Sequence, residues 1–565
     1  MAVFKTTQQR PLPDLKELVW GSAGLFGTDT AFRELRGSVF YDVSFLRFKD
    51  EVEALGTALS TRLKPGARVV LLGQNGYSWV LAFMALVCGA GVPVPADAAI
   101  SAADLKKLCV ESGAETVLYD TAASQKVAAL RGVTPIPFGA FPKLIRDGRA
   151  ALREGDVSYR TKVIDRTAPA AVFYTSGTTG KRKGVVLSHA AMVAAVTAVG
   201  AMQPICPDDT FLSVLPLSHI YECVVGFLAP LCYGARVAFS AGLGRIVRDM
   251  RMIRPTVMVV IPYLAEELYR YFWRQVARRG NEAAVRRAIA VSDPVRPLAA
   301  RQALKVKLLA VARTAFGGSL ERMIVLGSYL DPIVQKGLRQ IGVFTVQGYG
   351  VTECAGLAAL GGVNTYCDGA AGHVLPEGVL DVYDPDADGS GELRYKGANL
   401  MLGYNHDEAR TAAVLYDGWY YTGDVGRIDE NGFVHIIGRL QNRIEKADGK
   451  WVCPEELETL LCQSPFIKEA LTVGVLNAGG TDSEIAAMLY PDKEEAADVL
   501  GHAPTDEELE KLIGEWVGKL NEELPAHKQI TLYALREEPF PRSTAGRIRR
   551  AGYAEEIARA VAKGE

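Results

Sequence analysis

The sequence predicts an α/β fold with a large first domain, and two patterns carry that prediction. Continuously apolar segments of strand length alternate with helix-period sequence; they are 68–72, 171–174, 256–260 and 323–326. Such segments are typical of strands buried on both faces, and their alternation with helices indicates a mainly parallel sheet covered by helices. After Gly391 the strands alternate in polarity and turn at Asn431-Gly432, which indicates hairpins.

A smaller α+β domain is predicted at the C-terminal end. Beyond residue 439 the chain turns polar, and the segments 455–462 and 506–523 have the spacing of amphipathic helices. We place the first domain at 1–438, a connection at 439–442 and the second domain at 443–565. A chain of 565 residues has room for this division, because domains commonly contain about 100–200 residues.

The composition excludes several classes of protein. With 49% hydrophobic and 23% charged residues, the chain is an ordinary globular one and wholesale disorder is excluded. The 63 basic and 65 acidic residues leave a formal charge of −2, so no net cationic field is available for nucleic acid. The nine cysteines are dispersed without a C-x-x-C pair, which argues against a disulfide framework or a zinc knuckle. Reduced thiols in a cytoplasmic protein are the simplest interpretation.

No membrane-spanning segment is predicted. The longest apolar run, 79–96, contains Gly89, Gly91, Pro93 and Pro95, so we predict a buried helix, a glycine turn and a short buried strand. The start of the chain, 1–10, is polar and does not have the apolar region of a secretory signal.

A basic region offers two interpretations. It comprises Arg278, Arg279, Arg286, Arg287, Arg296, Arg301, Lys305 and Lys307. A basic helical face could make peripheral contact with a membrane or bind an anionic cofactor. A solvated helical hairpin, whose long stems cover apolar surface, fits the same residues. The apolar positions between the charges have the spacing of a core stripe, which favours the hairpin.

The segment 174–184 is the strongest functional signal. Its hydroxyl and glycine residues are Thr175, Ser176, Gly177, Thr178, Thr179 and Gly180. Glycines let the backbone wrap closely around an anion while N–H and hydroxyl groups point inward. Lys183 can then place a point charge on a phosphate. The spacing is not that of a Walker A loop, because no Ser or Thr follows Lys181. We therefore predict a phosphate-binding loop of another kind.

Further motifs follow this loop in a fixed order. They are Leu-Pro-Leu-Ser-His at 215–219, Gln-Gly-Tyr-Gly-Val-Thr-Glu at 347–353, Tyr-Thr-Gly-Asp at 421–424, Gly-Arg at 438–439, and the segments 444–450 and 454–458. Together these motifs make the chain resemble the adenylate-forming superfamily of acyl-CoA synthetases, adenylation domains and firefly-type luciferases. The likeness runs from about residue 15 to residue 550. Segments 217–222 and 448–455 are most similar to the long-chain fatty acyl-CoA synthetase branch.

The resemblance implies a two-step, ATP-dependent ligation. A carboxylate is a poor electrophile, so the enzyme would join the acid to AMP, release pyrophosphate and pass the acyl group to the thiol of CoA. ATP, Mg²⁺, CoA and a medium- or long-chain fatty acid are the implied reactants. The implied architecture is a multi-layer N-terminal domain with mainly parallel sheets and a small β-barrel part, then a hinge at 439–442 and a mobile C-terminal domain.

The resemblance also assigns the nucleotide site. Residues 175–183 would hold the β- and γ-phosphates, Thr352 would contact the α-phosphate, and Glu353 would hold Mg²⁺. Tyr349 would stack on the adenine. The remaining residues implied to bind or border the nucleotide are Gly327, Ser328, Gln347, Gly348, Asp424 and Arg439, the last two at the ribose. The implied catalytic set is Lys183, His219, Thr352, Glu353 and Arg547.

The acid and thiol sites follow only in part. The resemblance implies that His219 orients the substrate carboxylate and gates the thiol path, and that Gly449 lines the CoA tunnel. Near His219 the one acid is Glu222, and no clear partner for a substrate ammonium is present. The flanking segments, 226–229 and 356–360, are small and apolar and suit an alkyl chain, although an aryl acid also fits.

The chain departs from the family pattern at three positions. Arg182 stands where proline is frequent, and Gln441 stands at the hinge where Asp or Lys is usual. Arg547 stands where the closing motif has a lysine. Two consequences fit this change: a site that is adapted to arginine, or a weakened first step. Two alternative functions therefore remain: a stand-alone ligase that loads the phosphopantetheine of an acyl carrier protein, and a degenerate adenylate-binding protein with little turnover.

Overall fold

The computed structural model describes residues 9–37, 39–175, 182–291, 315–448, 450–477, 480–542, 548, 550 and 553–562. Two compact units form. The first unit comprises residues 1–380 and 395–420, and the second comprises 381–394 and 421–565. The domain limits given above, 1–438 and 443–565 with a hinge between them, stay a prediction.

Strands and helices alternate through most of the chain. The strands are β1 (Thr30–Arg36), β2 (Val39–Ser44), β3 (Arg68–Leu72), β4 (Val92–Ala96), β5 (Thr116–Tyr119), β6 (Thr134–Pro137), β7 (Pro169–Thr175), β8 (Lys183–Ser188), β9 (Thr210–Ser213), β10 (Arg236–Phe239), β11 (Val257–Val260), β12 (Arg322–Val325), β13 (Phe344–Tyr349), β14 (Ala359–Leu360), β15 (His373–Val374), β16 (Val379–Tyr383), β17 (Gly391–Lys396), β18 (Gly403–Tyr404), β19 (Leu415–Tyr416), β20 (Trp419–Ile428), β21 (Val434–Arg439), β22 (Ile444–Glu445), β23 (Trp451–Val452), β24 (Ile467–Leu476), β25 (Ser483–Pro491) and β26 (Ile530–Leu535).

The α-helices are α1 (Leu15–Phe26), α2 (Phe45–Ser60), α3 (Tyr77–Ala85), α4 (Ala102–Ser112), α5 (Ser124–Ala128), α6 (Phe141–Arg153), α7 (Ser158–Thr161), α8 (His189–Met202), α9 (Ala229–Cys232), α10 (Ile246–Ile253), α11 (Pro262–Arg278), α12 (Glu282–Val291), α13 (Pro332–Gln340), α14 (Glu408–Val414), α15 (Pro454–Leu461), α16 (Lys493–Leu500), α17 (Asp506–Glu523) and α18 (Tyr553–Ala562). Two π-helical turns, 86–90 and Glu222–Leu228, interrupt the pattern.

A nine-stranded sheet forms the centre of the first unit, in the order β15-β14-β13-β12-β11-β9-β10-β1-β2. The pairs from β13 through β12, β11, β9 and β10 to β1 are parallel, and only the two ends are antiparallel. All four residues of β11 and of β12 are buried. This confirms the predicted fold class, because strands covered on both faces require a continuously apolar sequence.

A smaller parallel sheet, β4-β3-β5-β6, carries the long apolar run. Helix α3, the first π-helical turn and β4 follow one another over 77–96, as predicted. Strand β4 lies at the sheet edge, which is where a strand can hold Pro93 and Pro95 without losing sheet hydrogen bonds. Among the described residues, no helix is long and apolar enough to cross a membrane.

Strand β7 departs from the parallel arrangement that its apolar sequence favours. It pairs antiparallel with β8, and β18 pairs antiparallel with the other side of β8. The segment between Thr175 and Lys183 therefore joins two adjacent antiparallel strands and not a strand and a helix. Antiparallel neighbours need only a short connection, whereas parallel neighbours need a crossover.

The second unit contains the predicted hairpin and helices. Strands β20 and β21 pair antiparallel around the Asn431-Gly432 turn, and β24, β25 and β26 form a separate sheet. Helix α17 begins at a capping box between Thr505 and Glu508. Its buried face, Leu509, Ile513, Val517 and Leu520, has the predicted helical spacing.

The basic region begins as the predicted helical hairpin. Helices α11 and α12 follow one another, and Arg286 stacks over Trp273 at 4.6 Å while it pairs with Glu282 at 2.8 Å. Arg296, Arg301, Lys305 and Lys307 lie outside the described residues.

Candidate active site

Three predicted segments leave the same edge of the nine-stranded sheet. Residues 215–219 follow β9, Gly327 and Ser328 follow β12, and the 349–353 segment follows β13. Because β9, β12 and β13 belong to one set of parallel strands, their carboxyl ends share an edge, which is the usual ligand edge of an α/β sheet.

Glu353 is a buried carboxylate that accepts a hydrogen bond from a tyrosine. It lies in a short 3₁₀ turn, Thr352–Cys354, and is 7% exposed, while Thr352 beside it is 8% exposed. The Tyr404 hydroxyl donates a hydrogen bond of 2.7 Å to Glu353 Oε1. Burial, with the charge of Glu353, raises the pKa of Tyr404 well above its usual value, so the phenol keeps the proton that it donates.

Lys183 also contacts Tyr404. Its ammonium is 5.3 Å from the centre of the Tyr404 ring. Strand β18 pairs Tyr404 with Val185 of β8, and the Met401 N–H donates to the Glu353 carbonyl oxygen at 2.8 Å. The strand pairing thus places both Lys183 and Glu353 in contact with Tyr404, although 170 positions of sequence separate them.

The start of β8 is also tied to helix α4. Arg182 donates to the Asp104 carbonyl oxygen at 3.0 Å, and its guanidinium lies 3.4 Å from the Asp104 carboxylate. Ser101 caps α4 and donates to Asp104 at 2.8 Å, and this bond, followed by the charge of Arg182, lowers the pKa of Asp104. Thr175 pairs with Lys183 at the end of β7. Ser176, Gly177, Thr178, Thr179 and Gly180 lie outside the described residues.

His219 and Glu222 lie one turn apart and differ in environment. The Tyr221 N–H lies 3.4 Å from His219 Nδ1, and the two rings are 4.6 Å apart. Glu222 is fully buried, and neither carboxyl oxygen has a hydrogen-bond partner among the described residues. Burial raises the pKa of Glu222 to about 8; the Ser213 hydroxyl lies close enough to oppose that rise without completing a hydrogen bond.

Gln347 is engaged with the loop that follows β12. Its Oε1 accepts from the Leu330 N–H at 2.7 Å, and its Nε2 donates to Gln335 Oε1 at 2.8 Å. These bonds fix the segment that carries Gly327 and Ser328. Gly327 has a φ of +102°, which favours glycine at this turn.

Four other nucleotide-site residues lie at the end of β13 or in the second unit. A Cβ at Gly348 would lie 2.7 Å from the Leu326 side chain, so a larger residue there would displace its neighbours. Tyr349 is 8% exposed. In the second unit, Asp424 and Arg439 are opposite each other in the β20–β21 pair and form an ion pair of 2.7 Å.

Arg547 and Gly449 lie outside the described residues, but the flanks of Arg547 are anchored in the second unit. Arg542 donates to Glu469 at 2.8 Å, and the Phe540 N–H donates to the same carboxylate at 2.7 Å. On the other side, Arg550 forms an ion pair with Glu458 and donates to the Thr472 carbonyl oxygen at 3.0 Å.

Sequence reasoning did not identify Tyr404 or Asn399. The Asn399 amide donates to the Cys354 and Leu357 carbonyl oxygens at 2.7 and 2.6 Å, and so closes the turn that carries Glu353. Both residues follow the β17 hairpin in a segment without charges, 398–404. The sequence signal is limited to an amide and an aromatic residue in this uncharged segment. If such polar side chains are buried, they need hydrogen-bond partners.

The residues present fit a magnesium ion bound together with a nucleotide. Among the described residues, no group of three or more His, Cys, Asp or Glu side chains forms a metal cage. Mg²⁺ is usually held by one or two carboxylates together with substrate phosphates and water. The Glu353 carboxylate, with Lys183 close by, supplies the hard oxygen ligand that such a site needs.

Comparison with known proteins identifies the family of the chain. The AMP-binding enzyme family matches residues 23–405, and the AMP-binding enzyme C-terminal domain matches residues 441–564. The chain is 28% identical over 468 residues to the long-chain-fatty-acid–CoA ligase FadD15 of Mycobacterium bovis, across 78% of this chain and 77% of that protein.

Two solved structures share the fold. ATP-bound MatB from Rhodopseudomonas palustris has a TM-score of 0.75 at 22% identity, covering 96% of this chain and 98% of that one. The anthranilate CoA ligase AuaEII with anthranoyl-AMP has a TM-score of 0.76 at 16% identity, covering 100% and 99%. The fold class and the family predicted from the sequence are confirmed: the protein belongs to the AMP-binding enzyme family and is a ligase of the acyl-CoA synthetase type.

Proposed function

We propose that the protein activates a medium- or long-chain fatty acid as acyl-AMP and transfers the acyl group to CoA, with release of pyrophosphate and AMP. The observation that carries this proposal is the neutral, apolar surrounding of His219. Residues 223–229 are all buried, and the one acid beside them, Glu222, has a pKa raised to about 8 by burial. A protonated carboxyl cannot pair with the ammonium of an amino acid at neutral pH, so an alkyl acid fits better.

The nucleotide roles rest on charged groups that lie after β13, at the start of β8 and in the second unit. We assign Lys183 to the phosphates, Thr352 to the α-phosphate and Glu353 to Mg²⁺, which would neutralise phosphate charge when bound. Asp424 and Arg439 are assigned to the ribose. These groups suit a reaction in which the ATP phosphates and the acid carboxylate must be neutralised and aligned.

The acceptor is the finer part of the proposal. Relatives of similar length are named CoA ligases, which supports free CoA. Loading of an acyl carrier protein and binding of adenylate with little turnover are the competing outcomes. The cytoplasmic location and peripheral membrane contact considered from the sequence stay predictions.

A substrate panel tests the proposal. Pyrophosphate release is measured with saturated fatty acids of eight to sixteen carbons, aryl acids and α-amino acids, followed by AMP release with and without free CoA. We expect fatty acids to lead, with affinity rising by up to about 0.8 kcal/mol for each buried CH₂. Higher activity with α-amino acids would refute the substrate assignment.

The same panel separates the acceptors. CoA-dependent AMP release supports the ligase proposed here, whereas pyrophosphate release without CoA-dependent AMP release favours a carrier protein. Absence of any pyrophosphate burst with every acid would favour the degenerate binding protein. Glu353→Gln should abolish the burst, and Glu321→Gln, at an exposed carboxyl of the same unit, should leave it unchanged.

A further inference from the structure

We infer that Tyr404 is a positioning residue that holds the metal-binding carboxylate and the phosphate-binding lysine in one arrangement. The inference rests on the proposed function, since it assigns Glu353 to Mg²⁺ and Lys183 to phosphate. It goes further because it gives one phenol two separable tasks: its hydroxyl orients Glu353, and its ring supports Lys183.

The hydroxyl fixes the orientation of the carboxylate. Tyr404 donates to Glu353 Oε1 at 2.7 Å, within the normal range for a bond to a charged acceptor. Both residues are nearly buried, at 6% and 7% exposure, so water competes little for that oxygen. Hydrogen bonds to ligating carboxylates commonly set the metal affinity, and their loss costs about 10–100-fold.

The ring supports the lysine by a separate interaction. Lys183 Nζ is 5.3 Å from the ring centre, which is within cation–π distance. Lys183 and Glu353 form no direct ion pair among the described contacts, and each contacts the phenol instead. A direct pair would use the lysine charge that a phosphate requires, whereas contact with a neutral ring leaves that charge available.

The backbone keeps the phenol in place. Tyr404 is the last residue of β18 and pairs with Val185 of β8, two residues beyond Lys183. Its own N–H donates to the Thr411 hydroxyl at 2.8 Å. The neighbouring Asn405 N–H donates to the Gly184 carbonyl oxygen at 2.6 Å. Strand pairing therefore sets the distance from Tyr404 to Lys183, and the hydroxyl of the same tyrosine contacts Glu353.

Two substitutions separate the tasks. Tyr404→Phe removes the hydroxyl and keeps the ring, whereas Tyr404→Leu removes both. Tyr159→Phe is the matched control, because Tyr159 is a buried phenol of the same unit that donates to the Ala85 carbonyl oxygen at 2.9 Å. Binding is measured with the α,β-methylene analogue of ATP, with and without metal, and with Mn²⁺ as a paramagnetic probe.

The expected pattern differs between the variants. In Tyr404→Phe, Mn²⁺ should bind the enzyme–analogue complex about tenfold more weakly or worse, while metal-free analogue affinity stays within about twofold. In Tyr404→Leu, metal-free affinity should fall by a further factor of about 2–5, as expected for a lost cation–π contact. Tyr159→Phe should change neither constant.

Two results distinguish failure of the positioning role from failure of the proposed function. If the wild-type enzyme binds the analogue and Mn²⁺ but Tyr404→Phe matches Tyr159→Phe in both constants, the positioning role is overturned. If the wild-type enzyme binds neither analogue nor Mn²⁺, the proposed function fails first and the role of Tyr404 fails with it. Thermal unfolding of each variant identifies loss of folding, and Tyr404→Phe keeps the test valid if Tyr404→Leu does not fold.

Discussion

Glu222 should make the stability of the first unit depend on pH, and Glu222→Gln should remove that dependence. The Glu222 side chain is fully buried in the π-helical turn, and Gly226 leaves it room, because a Cβ there would lie 2.7 Å from Glu222 Cδ. Burial raises the carboxyl pKa from the ordinary 4.5 to about 8. The neutral form is therefore the one that the fold accommodates.

The sign follows from the raised pKa. Below about pH 4.5 the carboxyl is protonated in both the folded and the unfolded chain, so the stability that comes from its raised pKa is fully present. Between pH 4.5 and 8 the unfolded chain releases a proton that the folded chain keeps, so stability falls as the pH rises toward the folded pKa of about 8. The slope reaches about 1.4 kcal/mol per pH unit for one proton. Glutamine has no such proton and should show no such slope.

Calorimetric unfolding at several pH values from 5 to 8 measures the effect. We expect the unfolding temperature of Glu222→Gln, minus that of the wild type, to rise steadily across this range. Glu321→Gln, at an exposed carboxyl of the same unit, should show a flat difference. A flat difference for Glu222→Gln as well would refute the buried, neutral carboxyl, whatever the absolute stability of the variant.

Three further outcomes are expected. Arg182→Ala should raise the KM for ATP about threefold and leave the KM for the acid unchanged, because the pair with Asp104 is partly exposed and such pairs contribute little; Arg182→Lys should recover part of the loss in a pyrophosphate assay. With Gly449 assigned to the CoA tunnel by the family resemblance, Gly449→Leu should block transfer to CoA while acyl-AMP still forms, because the added side chain would obstruct pantetheine. Equal loss in both half-reactions would contradict this. Arg547→Ala should slow acyl-AMP formation by about 10²–10³ and spare CoA transfer from supplied acyl-AMP. Glu469→Gln should have a smaller effect in the same direction. Unchanged pyrophosphate release in Arg547→Ala would show that Arg547 has no role in this step.

The parallel core was predictable because its signal is local. Strands β11 and β12 are buried on both faces, so each residue in them is apolar or, like Arg322, paired with an acid, here Asp209 at 2.6 Å. Helix α17 was predictable for the same reason, since its capping box and its apolar stripe lie within its own sequence. The Asn431-Gly432 turn likewise carries the backbone preference that a hairpin needs.

The direction of β7 and the partner of Glu353 were not predictable in this way. A short apolar strand has the same sequence in a parallel or an antiparallel pair when both of its faces are covered, and the pairing of β7 with β8 decides the direction. The hydrogen bond from Tyr404 to Glu353 spans 51 residues and depends on the pairing of β18 with β8. The local sequence around Tyr404 gives no signal of a partner that only the tertiary fold supplies.

Two adjacent cations at the start of β8 have different partners. Arg182, just before the strand, contacts Asp104 of α4, while Lys183, the first residue of the strand, contacts Tyr404 of β18. The charge of Arg182 is thus met by a carboxylate, whereas Lys183 pairs with no carboxylate among the described residues. A proline at 182 would fix the same backbone by its ring without any partner, whereas arginine depends on Asp104. We therefore expect a substitution of Asp104 to weaken ATP binding by releasing Arg182, while the neighbouring Lys183 itself is unchanged.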